Sequence, residues 1–311
     1  MRALAAARPL FSDLPSRLRS WLPPSSSSFK TFSASSSSPP SDSDLRNQSR
    51  GGLPRFFSDD LPSRKARLLY LSHGGMVRVQ GSEFWHMAKV LRLKAEDRVE
   101  LFNGKGGLVE GCIQNIDKTG VDFVAQEDQK VILPQGIQWQ VFAAFGTLKG
   151  GRADWLIEKC TELGASSVTP LLTERSSIIS DNRVDRLERV SFAAAKQCQR
   201  LHQMVVSPAV KFNTLLDHIS KSKLCLVATA EATPLLNAVQ SSAKESSGLL
   251  ICNLKTVNND NGADFTKKEV EMMLEAGGTA VGLGPHRLRV ETATIALLAT
   301  LVMWSDSQET D

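Results

Sequence analysis

Apolar and polar positions follow two different rhythms along this chain. From Met76 to Ile116, apolar residues come in short runs broken by turn signals. Val99–Phe102, followed by Asn103-Gly104, predicts a strand entering a tight turn, and Leu108–Ile116 predicts the return strand. Ser82 to Leu91 predicts a short helix capped by Ser82, with Phe84, Met87, Ala88 and Leu91 on one side. Together these describe a small β-rich unit over residues 54–133.

From Gln138 the rhythm changes to alternating strands and helices. Strands are predicted at 139–145, 166–172, 223–229, 248–252 and 279–283. Helices are predicted at 153–164, 184–200, 266–277 and 291–304. The first carries Ala153, Leu156, Ile157, Cys160 and Leu163 on one face, with Gly164 as its stop. Such alternation implies an α/β domain over 138–304, with a largely parallel sheet covered on both faces, and a tail at 305–311.

Polar residues collect after the strands. Thr173–Ser176 ("TERS") follows one, and residues 282–293 ("GLGPHRLRVETA") follow another. Ligands of open α/β sheets bind at such carboxyl-end loops. The glycines of Gly282-Leu283-Gly284 let backbone approach a ligand closely. Glu291 opens the last helix, where the dipole favours a carboxylate. A plainer reading makes Arg287 and Arg289 surface charges and Glu291 a cap.

One connection is unusual. The run "LLI" at 249–251 reads as a buried strand, and Thr266-x-x-Glu269 reads as a capping box at a helix start. Between them lies a polar stretch from Asn253 to Ala263, longer than the about 2–6 residues usual for a strand-to-helix loop.

Composition narrows the options. The chain has 311 residues, net charge +4 and 41% hydrophobic residues. That permits a sizeable core and local nucleic-acid contacts without demanding the latter. Cysteines 112, 160, 198, 225 and 252 form no C-x-x-C pair and read as buried thiols. No metal site is expected, and no apolar run approaches the roughly 20 residues of a membrane span. No P-loop, dinucleotide fingerprint, zinc-protease motif or nucleophile elbow is present. Arg64, Lys65, Arg67, Lys89, Arg92, Lys94 and Arg98 crowd the first unit. They are either a solvated face or a phosphate-contacting surface.

Residues 1–50 have another texture. Serine tracts occupy 25–28 and 35–38, and before Asp42 the single acid is Asp13, against Arg2, Arg8, Arg17, Arg19 and Lys30. A serine-rich, arginine-bearing, acid-poor start predicts an organelle transit peptide. The serine density favours chloroplast; the arginines keep mitochondrion open.

Four stretches, in this order, carry a family resemblance: "FWHMAKVLRLKAEDRVELFNGKGG", "KGGRADWLIEKCTELGASSVTPLLTERS", "AAAKQCQRLHQMVVSPA" and "GLGPHRLRVETATIALLA". The chain resembles the RsmE family, SPOUT-class methyltransferases that act on N3 of a uridine in small-subunit (16S-type) ribosomal RNA. The resemblance spans about Pro54 to Trp304. It implies a PUA-like β-barrel domain that helps grip RNA, followed by a SPOUT domain with a trefoil knot, a rare departure from unknotted topology. It implies S-adenosyl-L-methionine as cofactor and a homodimer with the active site at the subunit interface. Cofactor contacts would come from Ile251, Leu283, Gly284, Leu288, Arg289 and Glu291. The catalytic candidates are Glu174, Arg175 and Arg200. Gln197 joins Arg64, Lys65, Arg67, Lys89, Arg92 and Lys94 as RNA contacts.

The long connection is where the resemblance breaks. The family carries Gly-Pro-Glu-Gly directly after the strand; this chain has Cys252–Ala263 there, with Gly262 as its one glycine. Three readings follow: an active uridine-N3 methyltransferase with a refolded loop, a catalytically impaired isoform that keeps its RNA and dimer surfaces, or a SPOUT enzyme with another RNA target.

Overall fold

The computed structural model describes residues 52–63, 75–145, 151–174, 181–239, 247–254, 265–284 and 288–308. Residues 1–50, predicted as a transit peptide, lie outside the described residues, as do Arg64, Lys65, Arg67, Arg175, Arg287 and the connection at 255–264.

Six strands build the first unit: β1 (Arg55–Phe57), β2 (Met76–Val79), β3 (Arg98–Phe102), β4 (Gly107–Ile116), β5 (Val121–Ala125) and β6 (Lys130–Val131). They form one mostly antiparallel sheet ordered β1-β3-β4-β5-β2, with β6 on β4. Alternation along β4 turns Val109 and Ile113 inward, where they meet Phe56, Val99, Leu101 and Phe123. The β3–β4 connection is a four-residue turn rather than a two-residue one. The Asn103 side-chain oxygen accepts from the amides of Lys105 and Gly107, both at 2.9 Å, while Gly104 and Gly106 take φ of 68° and 85°.

Helix α1 (Gly81–Trp85) runs straight into a π-helical turn at His86–Val90. Ser82 does not cap it: Gln80 holds the cap position, without a side-chain hydrogen bond. The chain turns helical one residue before Ser82 and places it inside the first turn.

The second unit is a seven-stranded parallel sheet. In chain order it contains β7 (Gln138–Phe145), α2 (Arg152–Glu162), β8 (Ser167–Leu172), α3 (Asp181–Gln197), β9 (Val205–Val206), β10 (Val210–Lys211), α4 (Phe212–Lys221), β11 (Cys225–Pro234), α5 (Leu235–Val239), β12 (Ser247–Leu254), α6 (Lys267–Glu275), β13 (Thr279–Gly282) and α7 (Val290–Gln308). The sheet order is β10-β8-β7-β12-β11-β13, with β9 beside β8. Both faces are covered, as continuous apolar strands require. Leu250 and Cys252 join the cluster under α2, α3 and α7, and Leu249 and Ile251 join the cluster under α4 and α6.

Glycines end two helices where expected. Gly164 (φ 95°) and Gly277 (φ 110°) take left-handed backbone, and Ala165 and Gly278 donate back to Cys160 and Met273. Several features differ from the sequence reading. Helix α7 continues to Gln308, so residues 305–308 are helix rather than tail. Strand β12 continues to Leu254. The segment 201–222, to which the pattern assigns nothing, holds β9, β10 and α4.

The first unit is locked onto the second. Gly106 donates to the carbonyl of Leu201 at 2.9 Å, Gln203 donates to that of Gly104 at 2.8 Å, and the His202 ring nitrogen Nε2 lies 2.9 Å from the carbonyl of Ile132. Approach here is so close that a Cβ on Gly106 would sit 2.5 Å from that same carbonyl. Phe57 meets Phe192 edge-on at 4.9 Å, and Lys196 sits 5.1 Å from the Phe57 ring centre while pairing with Glu83 at 3.0 Å. A desolvated pair with a cation over two rings is worth more than an exposed salt bridge.

Candidate active site at the carboxyl edge of the parallel sheet

The sheet order sends the chain out on one side of β7 to β8 and β10, and on the other to β12, β11 and β13. The crevice at such a switch point is the usual ligand position in open α/β sheets. Here its rim is built from the ends of β12, β11 and β13 and the start of α7.

Strand β12 reaches further than the sequence reading allows. Cys252, Asn253 and Leu254 pair with Ala143, Ala144 and Phe145 of β7. Ile251 therefore does not mark the strand end. It lies within the ladder between Phe142 and Val227, fully buried, and the rim begins at Leu254. The first three residues of the altered stretch are thus strand, with Asn253 and Leu254 beyond the predicted end.

Beside it, β11 bulges: both Ala228 and Thr233 register with Val281, so Thr229–Ala232 loop out of the ladder. Gly282 sits against this bulge, where a Cβ would come within 3.2 Å of the Ala232 carbonyl. Gly284 follows with φ of 112° and open space where a Cβ would go. Leu283 and Leu288 are 39% and 40% exposed, two apolar side chains flanking the turn. Arg289 is exposed, and its carbonyl accepts from Ala293 at the start of α7.

Glu291 is buried, as a mere surface cap would not be. One carboxylate oxygen lies 3.8 Å from Nε of Arg152; the other is enclosed and has no hydrogen-bond donor among the described residues. A buried carboxylate oxygen without a donor is costly, which favours a ligand group that donates to it.

Glu269 connects the two halves of the rim. Its carboxylate accepts from the Thr266 amide at 2.8 Å while Thr266 Oγ1 accepts from the Glu269 amide at 3.1 Å, closing the expected capping box. Its other oxygen accepts from the amide of Glu174 at 3.2 Å. One almost fully buried side chain thus pins the exit of β8 to the helix that follows the altered connection. Glu174 itself is exposed, and Arg175 follows it directly outside the described residues.

Arg200 is placed elsewhere. Its guanidinium donates to the carbonyls of Thr161 at 3.0 Å and Gly164 at 3.1 Å, at the C-terminal end of α2. That end lies beside the start of β7, where Ser166 bonds Trp139. Arg200 is therefore at the amino edge of the sheet, across from Gly284 within one chain. Burial, with no carboxylate partner among the described residues, lowers its pKa, and the negative end of the α2 dipole offsets part of that cost. Gln197 closes α3 on the same side, exposed. Lys89, Arg92 and Lys94 are exposed on the first unit.

The cysteines offer no nucleophile here. Cys160, Cys225 and Cys252 are buried; Cys112 and Cys198 are partly so. Burial pushes the thiols of Cys225 and Cys252 up to about 12. Such thiols stay protonated and inert. Among the described residues no cluster of His, Cys, Asp and Glu could hold a metal, and no helix is long and apolar enough to cross a membrane.

Several contributors escaped the sequence reading: the second bond of Glu269, the approach of Arg152 to Glu291, and the β11 bulge. The capping-box spacing was the one visible signal for the first.

Comparison with known proteins identifies the family and the fold. Residues 137–302 match the RNA methyltransferase domain family, and residues 79–126 match the RNA methyltransferase PUA domain. Ribosomal RNA small subunit methyltransferase E of Bacillus subtilis is 29% identical over 235 residues, covering 72% of this chain and 88% of the relative. The Synechocystis protein of the same name is 26% identical, covering 72% of each. Among solved structures, ribosomal RNA small subunit methyltransferase E from Neisseria gonorrhoeae, bound to S-adenosyl methionine, superimposes with a TM-score of 0.61 at 21% identity, over 81% of this chain and 98% of that one. A crystal structure of a hypothetical protein gives the same TM-score at 25% identity, over 81% and 99%.

Replacing Glu269 by Ala removes the cap and leaves the Glu174 amide without its partner. The expected loss is about 2 kcal/mol in denaturant unfolding, with Gln retaining roughly half of it. A Glu269→Ala protein within ~0.5 kcal/mol of the parent contradicts the pinning role.

Proposed function

The chain belongs to the RNA methyltransferase domain family, and on that premise we propose that it methylates N3 of a uridine in small-subunit ribosomal RNA, using S-adenosyl-L-methionine. The observation that carries the reading is the rim at the ends of β12 and β13 within a domain matched over 137–302.

The residues present fit the cofactor. Leu283 and Leu288 offer exposed apolar contact, Gly284 offers open backbone, and the enclosed oxygen of Glu291 offers an acceptor for a hydroxyl or amine. When bound, the cofactor supplies a methyl group on a sulfonium. The work left to the chain is binding, orientation and proton management. N3 of uracil is a poor nucleophile until it loses its proton, so a cation is needed near the oxygens where charge develops. Arginine suits that task, and Arg175 is the better candidate because the Glu174 amide before it is held by Glu269. Arg200 reaches this rim only from a second copy. A paired uracil hides N3, so the target is unpaired or flipped out.

The proposal includes a homodimer. Helix α7 is apolar on nearly every face, yet Met303 is 73% exposed near its end. A helix of that kind is normally covered on all sides. Sedimentation velocity of the full chain at micromolar concentration is expected to show a dimer; a monomer overturns this part.

The altered connection separates the active reading from the impaired-isoform reading, and calorimetry decides between them. An active chain binds S-adenosylmethionine with a dissociation constant between about 1 μM and 1 mM. No heat at several millimolar cofactor, with binding restored when residues 252–263 are exchanged for Gly-Pro-Glu-Gly, establishes the impaired form. No binding in either protein overturns the cofactor assignment.

A further inference from the structure

The stretch from Gly81 to Lys94 presents a surface that the chemistry at the sheet edge does not use. Trp85 is 60% exposed. Its neighbours Phe84, Met87 and Leu91 turn into the core of the first unit, with Met87 fully buried. At His86–Val90 the helix widens from α to π, and Leu91 donates to the carbonyl of His86 at 2.9 Å. Such widened turns are rare and recur at functional positions. Trp85, Lys89 and Val90 emerge on the solvent side of it. Arg92 then takes φ of 54°, a left-handed conformation uncommon for a residue with a side chain, and Lys94 follows, exposed.

The electrostatics of this surface are one-sided. Between Trp85 and Lys94 the chain has three cations, Lys89, Arg92 and Lys94, and no carboxylate. None of the three is ion-paired among the described residues. Other cations of the same unit are: Arg78 with Asp117 and Asp122, Arg55 with Glu100, and Arg98 with Glu110. A protein partner would call for contiguous apolar area, and Val90 is the one exposed apolar side chain in this stretch besides Trp85.

We propose that Trp85 is a stacking platform for an unpaired RNA base, with Lys89, Arg92 and Lys94 on the phosphates beside it. An exposed indole stacks on any base, and flanking cations track the backbone. The inference rests on the reading that this chain acts on RNA, and the whole stretch falls within the matched PUA region. The ion pair of Glu83 with Lys196, near the end of α3, sets the patch towards the amino edge of the sheet. Within one chain the stacked base is therefore distant from the rim, a flanking base rather than the methylated uridine. Trp85 is a positioning residue, and its removal acts on KM rather than kcat.

Fluorescence anisotropy of the full chain with a labelled, unpaired oligouridine, repeated at several salt concentrations, tests this. Trp85→Ala is expected to weaken binding ~10-fold or more at unchanged salt slope. Trp85→Phe keeps affinity within ~3-fold. Lys89→Ala lowers the slope by about 0.7. In methyl transfer, Trp85→Ala raises KM and leaves kcat. A Trp85→Ala protein that binds within twofold of a binding-competent parent overturns the inference alone. A parent that binds no RNA overturns it together with the proposed function. Tight binding of the parent to duplex, equally lost in Trp85→Ala, overturns the choice of an unpaired base.

Discussion

Strand β12 is the constraint on which the site depends. It pairs along all eight residues with β7 and along three with β11. Its alternate side chains enter the two separate cores, Leu249 and Ile251 on one face, Leu250 and Cys252 on the other. A one-residue slip would exchange the two sets and mismatch both cores. The strand therefore delivers the chain to the rim in one register. Glu269 does the corresponding job on the far side of the connection, through a capping box and the Glu174 amide. What lies between can vary in length as long as these two anchors hold, because loop-closure entropy grows slowly with length.

The same anchors alter how the divergent segment is understood. The resemblance to the RsmE family makes Cys252–Ala263 a polar replacement for a glycine-rich cofactor wall. In the structure, its first three residues are strand. The substitution is thus partly an extension of β12 into the space at the carboxyl edge. The other wall, Gly282–Gly284 with Glu291, keeps a close backbone approach and an enclosed acceptor.

Much of the fold was legible because its signals are local. The apolar stripe of α2, the glycines that stop α2 and α6, and the Thr266–Glu269 box each lie within a few residues of sequence. The short strands β9 and β10 have two residues each, too few for any period to register. The site was less legible because its decisive contacts are tertiary. Arg200 looked catalytic from its motif, yet its partners are carbonyls 39 and 36 residues away. Glu269 was visible as a cap, but its bond to Glu174 spans 95 residues. Sequence spacing carries no information on such pairs.

The chain thus combines a firmly docked first unit, matched to the RNA methyltransferase PUA domain, with a parallel sheet whose carboxyl edge is the proposed methyl-donor site. The most direct measurement is nucleoside analysis by mass spectrometry of unmodified small-subunit ribosomal RNA after incubation with the full chain and S-adenosylmethionine. The account predicts 3-methyluridine at a single unpaired position. A methyl group on another atom, or none from a chain that binds both cofactor and RNA, would contradict it.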